Sequence, residues 1–361
     1  MGEPVLAESV RYADDGAVEI LDRRVYPFEV SWVRCATSED VAVAIERMVT
    51  QSTGPLFAAT AGMVLGAREA RGDGPQEAAA RLRAVGRRLV ATRPTNNHIR
   101  DAVHAVLSAT VGTGGDPGEG PGHDHARLGG DDRPRLTGDG RARLAGDELV
   151  AAVEAAARAH EDVYHARNAV LGEHAASLLG DGTRVLTHCW ADAFLIAVVR
   201  AAQAAGKRLE FVCTETRPYL QGARLTAAAL VEMGYRPTLI TDGMVAAVLA
   251  DGLADVALTA ADRVTLDGHV INKVGTLGVA LAARAFDVPF YVLIDAPDPQ
   301  TPTAADVVIE RRDGDEVLHA LGRRTAAEGV TGYYPAFDVT PPHLVTRIVT
   351  GSGIHRPDAL T

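Results

Sequence analysis

Cysteine is scarce in this sequence. Cys35, Cys189 and Cys213 are the only three in 361 residues, an odd number with no CxxC pair. That argues against a disulfide scaffold and against a structural zinc site. No run of eighteen apolar residues occurs, which excludes a long apolar helix of the membrane-spanning kind. The opening MGEPVLAESVRYADDG has no apolar stretch behind positive charge, unlike a secretory signal, so a cytoplasmic protein is expected. Neither GxGxxG nor GxxxxGK[ST] is present, which weakens nucleotide readings. Basic residues are outnumbered 36 to 47, a formal charge of −11. A chain so acidic is a poor general binder of nucleic acid or of an anionic membrane, and neither is expected as a partner. What is present is ordinary for a globular protein: 47% hydrophobic and 23% charged residues rule out a wholly disordered chain. The length suits two domains.

Three stretches differ in composition. Residues 1–111 open with strand-like pieces, Val18 to Leu21 and Val30 to Val33. Helical runs follow: SEDVAVAIERMV with Ser38 as its N-cap, a small-residue stretch from Pro55 to Arg71, and PQEAAARLRAVGRRLVAT. This predicts a small, mostly helical N-terminal domain. Residues 112–146 are dense in Gly, Pro, Asp and Arg and almost free of aliphatic side chains, which predicts a flexible loop. Its His123-Asp124-His125 reads as solvated loop residues, and no metal site is expected.

Residues 147–361 begin with a long Ala-rich connecting helix to about Leu179. Short β-rich runs then alternate with helical ones: RVLTHC, RLEFVCT, PTLITD and DVALTAAD, each followed by a helical run, and finally PFYVLID and VVIE. Alternation at this length calls for right-handed crossovers and a parallel sheet covered on both faces. The fold class is therefore α/β, the second domain a Rossmann-like doubly wound sheet. Ligands of such sheets sit beyond the carboxyl ends of the strands.

Several chemically capable residues fall at those ends. RVLTHC ends at Cys189 just before a helix, where free backbone N–H groups and the helix dipole favour thiolate; a buried structural cysteine is the other reading. DVALTAAD ends at Asp262, which suits a general acid, a helix cap or a partner of Arg263. Asp242 ends PTLITD and reads as an N-cap. Asn272 and Lys273 precede a helix, a place suited to holding an anion with a cation and helix amides. ETRPYLQGAR places Glu215, Arg217, Gln221 and Arg224 between strand and helix, with solvated loop charges as the plain alternative. Arg93 stands before a proline, in extended backbone ahead of a helix. A thiol, a carboxyl, a lysine and arginines around one sheet edge suggest proton transfer on an anionic substrate.

Taken together, LTHC (186–189), ETRPYLQGARLTAAAL (215–230), ADRVTLDGHVINKVGT (261–276) and PAFDVTPPHLV (335–345) resemble the methylthioribose-1-phosphate isomerases. The same pattern runs through ribose-1,5-bisphosphate isomerases and the regulatory subunits of initiation factor 2B. ILDRRVYPFEV and IERM (45–48) look more like the first branch. The resemblance implies a catalytic pair, Cys189 and Asp262. It implies that Arg93, Gln221, Asn272 and Lys273 contact a sugar phosphate, that no organic cofactor is used, and that the protein is a homodimer. The implied reaction converts a 5-substituted ribose 1-phosphate to the ribulose 1-phosphate. In it a protonated Asp262, its pKa raised by apolar surroundings, donates to the ring oxygen, and Cys189 as thiolate moves the C2 proton to C1. A hydride shift is the rival route. Ribose-1,5-bisphosphate isomerase and a non-catalytic sugar-phosphate or nucleotide sensor are the alternative functions.

Three departures from that pattern stand out. The family's Arg-Gly-Ala phosphate segment is Gln51-Ser52-Thr53 here, and loss of the arginine removes a charge-assisted bond on the order of 1.5–3 kcal/mol. Trp190 and Asp192 stand where the family has Asn and Gly. Thr95, Asn96, Asn97 and His98 replace TAVN. A kept reaction centre with a changed pocket predicts that methylthioribose 1-phosphate itself is a weak substrate. A negative charge at Asp192 would likewise disfavour a C5 phosphate.

Overall fold

The computed structural model describes residues 2–93, 96–113 and 144–360. Most of the expected loop, with His123–His125, and Thr95 lie outside the described residues. The chain folds as two compact units, one from Glu8 to Tyr164, the other comprising the residues through Ala7 together with everything from His165 onward.

The Glu8–Tyr164 unit packs helices Ser38–Glu46, Gly54–Glu69, Pro75–Thr92 and Asn97–Ala109 with an antiparallel sheet of β1 (Val10–Tyr12), β2 (Val18–Leu21) and β3 (Trp32–Cys35). The third strand lies two residues beyond the expected Val30–Val33. The first helix is capped by Thr37, one residue before the expected Ser38. Thr37 Oγ1 accepts the Asp40 amide while the Asp40 carboxylate accepts the Thr37 amide, and Ser38 instead donates to Glu69. Helix Gly54–Glu69 is buried almost all round, as its run of small and apolar residues dictates. The long helix Gly146–Ser177 starts where the second domain is expected to start, but the first half of it joins this unit. Leu149, Val150, Val153 and Ala157 on its first half belong to the core of this unit, so the unit extends to Tyr164.

The second unit is built on a sheet whose parallel strands are β4 (Arg184–Thr187), β5 (Glu210–Thr214), β6 (Thr238–Ile240), β7 (Val256–Ala260), β10 (Phe290–Leu293) and β16 (Arg347–Thr350). β17 (Gly353–His355) pairs antiparallel at one edge. Across the sheet the order is β17-β16-β10-β7-β4-β5-β6. Counting the parallel strands along the chain gives the doubly wound order 3-2-1-4-5-6, with the topological switch between β4 and β7. The expected VVIE strand is absent: Val308 is 91% exposed, and the place beside β10 is taken by the buried RIVT of β16. A smaller antiparallel sheet joins β8 (Arg263–Val264), β9 (Val270–Lys273) and β15 (Phe337–Thr340). Three further features lie between β10 and β15. They are β11 (Arg311–Arg312), the ribbon of β12 (His319–Ala320) and β13 (Arg323–Arg324), and β14 (Tyr334–Pro335), which pairs with β11. No described helix is long and apolar enough to cross a membrane.

Candidate active site

β4 and β7 are hydrogen-bonded neighbours, with Leu186 opposite Ala257. Cys189 follows β4 and Asp262 follows β7, so the two stand beyond the carboxyl ends of adjacent strands, whose axes lie about 4.8 Å apart. This is the switch point of the sheet, where neighbouring crossovers leave to opposite faces and open a crevice.

The turn that carries Cys189 is held rigidly. Its φ is +64°, a left-handed conformation shared nearby by Asp192, Thr216 and Leu220. Each such non-glycine residue costs on the order of 1–3 kcal/mol and persists only where its surroundings impose it. Here a buried chain of hydrogen bonds does so. His188 Nε2 lies 3.0 Å from the Val274 carbonyl, so that nitrogen carries the proton, and Nδ1 accepts from the Thr214 hydroxyl at 2.7 Å. Burial depresses the His188 pKa, in keeping with a neutral ring. Thr214 in turn meets Thr216 at 3.2 Å, and Thr216 Oγ1 accepts the Cys189 amide at 2.9 Å. Thr226 Oγ1 donates to the Cys189 carbonyl.

Burial pushes the Cys189 thiol up, and the nearby Lys273 ammonium pulls only partly against it. The expected thiolate is therefore corrected to a protonated thiol in the free protein, because desolvation outweighs the helix end and the lysine. As a residue Cys189 is only partly buried, whereas Cys35 and Cys213 are buried. Lys273 itself is held below the usual lysine range by burial, against the attraction of Cys189 and Asp262. Its Nζ lies 4.6 Å from the Phe337 ring centroid. Asp262 is exposed. Arg263 pairs with Asp298 at 3.1 Å.

The helix after Lys273 starts at Thr276. Two amides at its start are occupied: the Asp338 carboxylate accepts from Gly275 at 2.7 Å and from Leu277 at 3.1 Å. Burial raises the Asp338 pKa to about 6. Asn272 is buried and donates to Thr276 Oγ1 at 3.0 Å. Gln221 is also buried, and its Oε1 has no partner among the described residues. It opens a π-helical turn, Gly222–Thr226, in which any β-carbon at Gly222 would strike the Thr214 carbonyl.

Three expectations about neighbouring charges change. Asp242 does not cap its own helix; its carboxylate accepts the Thr216 and Arg217 amides, both at 2.7 Å. Arg217 holds the carbonyls of Val317 and His319, and Arg224 is buried against the Tyr219 carbonyl, so both are structural rather than solvated. Trp190 and Asp192 are 4% and 3% exposed and packed into the protein, so neither supplies the exposed ring or charge expected of them beside a substrate.

Arg93 and Gln51-Ser52-Thr53 belong to the Glu8–Tyr164 unit. Arg93 is the C-cap of helix Pro75–Thr92. The Gln51 carbonyl accepts from the fully buried Arg23 at 2.7 Å, and Gln51 Nε2 has no partner among the described residues. Arg23 belongs to ILDRR and was not singled out from the sequence. Tyr334 likewise carries no local signal in the sequence. Among the described residues no group of three or more His, Cys, Asp and Glu is placed to hold a metal ion.

Known proteins resemble this chain over most of its length. The model of the Initiation factor 2 subunit family matches residues 52–357. Methylthioribose-1-phosphate isomerase of Pelotomaculum thermopropionicum is 37% identical, over 98% of this chain and 92% of its own. The crystal structure of 5-methylthioribose 1-phosphate isomerase from Pyrococcus horikoshii superposes with a TM-score of 0.80 at 28% identity, covering 97% and 93% of the two chains. That of translation initiation factor eIF-2B, subunit delta, from A. fulgidus gives 0.76 at 30% identity, covering 97% and 96%.

Proposed function

This chain belongs to the Initiation factor 2 subunit family, and within it we propose an aldose–ketose isomerase that converts a 5-substituted ribose 1-phosphate to the ribulose 1-phosphate. The observation that carries the reading is the placement of Cys189 and Asp262 at the switch point, with Lys273 electrostatically coupled to both.

The chemistry asks for these groups. Phosphate on the anomeric oxygen locks the aldose as a ring, so opening needs a proton at the ring oxygen as the C1–O bond breaks. Asp262 is the donor. Hydrogen then moves from C2 to C1, and the C2 hydroxyl becomes the carbonyl. Cys189 as thiolate carries the C2 proton to C1 while the Asp262 carboxylate, left after its donation, takes the C2 hydroxyl proton; in the rival route Cys189 takes the hydroxyl proton while hydride shifts directly. Either way the thiol must first yield its own proton, and the Lys273 charge lowers that cost. Each positioned acid or base is worth about 10²–10⁴ in rate. Gln221, Asn272 and Lys273 bind the sugar phosphate, as do Arg93 and Gln51-Ser52-Thr53 on the family resemblance. The protein acts as a cytoplasmic homodimer.

Methylthioribose 1-phosphate is the first substrate to test. The expectation that it is a poor one rested partly on Trp190 and Asp192, both of which are buried; the Gln51-Ser52-Thr53 substitution still stands behind it. Proton NMR with methylthioribose 1-phosphate, ribose 1,5-bisphosphate and 5-deoxyribose 1-phosphate decides the matter. Loss of an anomeric signal identifies the substrate. Binding without turnover of all three points to a sensor instead.

A further inference from the structure

Tyr334 lies on β14, directly opposite Arg312 of β11. It is 3% exposed, yet its hydroxyl has no hydrogen-bond partner among the described residues. That is unusual. A buried tyrosine normally keeps a partner for its O–H, and leaving one unmade costs on the order of 1–3 kcal/mol.

The phenol belongs to the neighbourhood of the reacting groups. Lys273 Nζ lies 5.8 Å from the Tyr334 ring centroid and 4.6 Å from that of Phe337, so the two rings flank the ammonium. Phe337 is the cross-strand partner of Lys273, and the Ala336 carbonyl accepts the Val274 amide, which ties this segment to β9. The Cys189 thiol is within electrostatic reach of the phenol. The polar groups alongside are already engaged: Arg312 donates to the Tyr219 hydroxyl at 2.9 Å and pairs with Glu316 at 3.0 Å. Burial holds the phenol above its usual pKa, so it is a donor at neutral pH.

We infer that Tyr334 is a further substrate-contacting residue, its O–H donating a hydrogen bond to an oxygen of the bound sugar phosphate beside Lys273. A ligand oxygen there completes the bond that the protein leaves open. Loss of the hydroxyl therefore weakens the complex without unsettling the free protein, the reverse of what a structural tyrosine does. The inference rests on the isomerase reading for the ligand's identity.

Tyr334→Phe tests it, with turnover and calorimetric binding of the three sugar phosphates measured on both proteins, together with melting temperature. A fall of about fivefold or more in kcat/KM or affinity, with melting temperature unchanged or raised, is expected, the loss of one neutral hydrogen bond. A change smaller than that, or a lowered melting temperature, overturns the assignment. If the wild type binds but does not turn over, the isomerase reading fails, and the affinity ratio still decides Tyr334. A wild type that binds none of the three sinks both.

Discussion

A β-carbon at Gly275 would stand 2.7 Å from Cε1 of His188, and the Gly275 φ is +109°. The helix that follows Lys273 thus starts against the ring that anchors the Cys189 turn. Gly275→Ala meets both a left-handed backbone and a ring held by Thr214 and Val274. We expect a loss of about 1–3 kcal/mol in chemical denaturation, and a larger fractional loss of activity than of folded protein at ambient temperature.

Cys189→Ser and Asp262→Asn should each abolish turnover while leaving the melting temperature near that of the wild type. Both side chains are proposed to move protons rather than to pack. Retention of more than about a tenth of the activity would show that the residue in question is not an obligatory acid or base.

Site-resolved alkylation with iodoacetamide should label Cys189 ahead of Cys35 and Cys213, which are buried and whose thiols are pushed up to about 11 and about 12. The Cys189 rate should climb with pH to a midpoint above that of an ordinary cysteine, because burial raises its pKa. Lys273→Met removes the opposing cation and should move the midpoint higher still. A midpoint below that of free cysteine would contradict the protonated thiol.

Asp338 offers a pH signature in stability. Its folded pKa of about 6 lies above the ordinary aspartate value of 3.8, so the native state binds the proton more tightly than the unfolded chain. Its contribution is fully present below the unfolded pKa and is lost as pH rises toward 6. Wild type compared with Asp338→Asn should therefore lose relative stability between about pH 4 and 6, on the order of 2 kcal/mol. A difference that is flat across that window would refute the assignment.

Much of this was legible along the chain. The alternation of β-rich and helical runs predicts the parallel sheet, and strand-end reasoning finds Cys189, Asp262 and Lys273, because periodicity and chain position are local properties. PQEAAARLRAVGRRLVAT coincides with helix Pro75–Thr92 for the same reason. VVIE was misread because its apolar composition is that of a strand, while exposure of Val308 depends on which segment reaches β10 first. Asp338 and Tyr334 gave no local sign of their roles, since one acts on amides more than sixty residues earlier and the other on whatever stands beside Lys273.

By itself, then, the sequence determined the fold class and the residue types that stand at the carboxyl edge of the sheet. Only the tertiary structure decided that β4 and β7 are neighbours, that the Gly275 and Leu277 amides are taken by Asp338, and that Trp190 and Asp192 are buried. It also decided that burial pushes the Cys189 thiol up. Propensity and patterning act over a few residues, whereas pairing order and desolvation depend on groups brought together from distant parts of the chain.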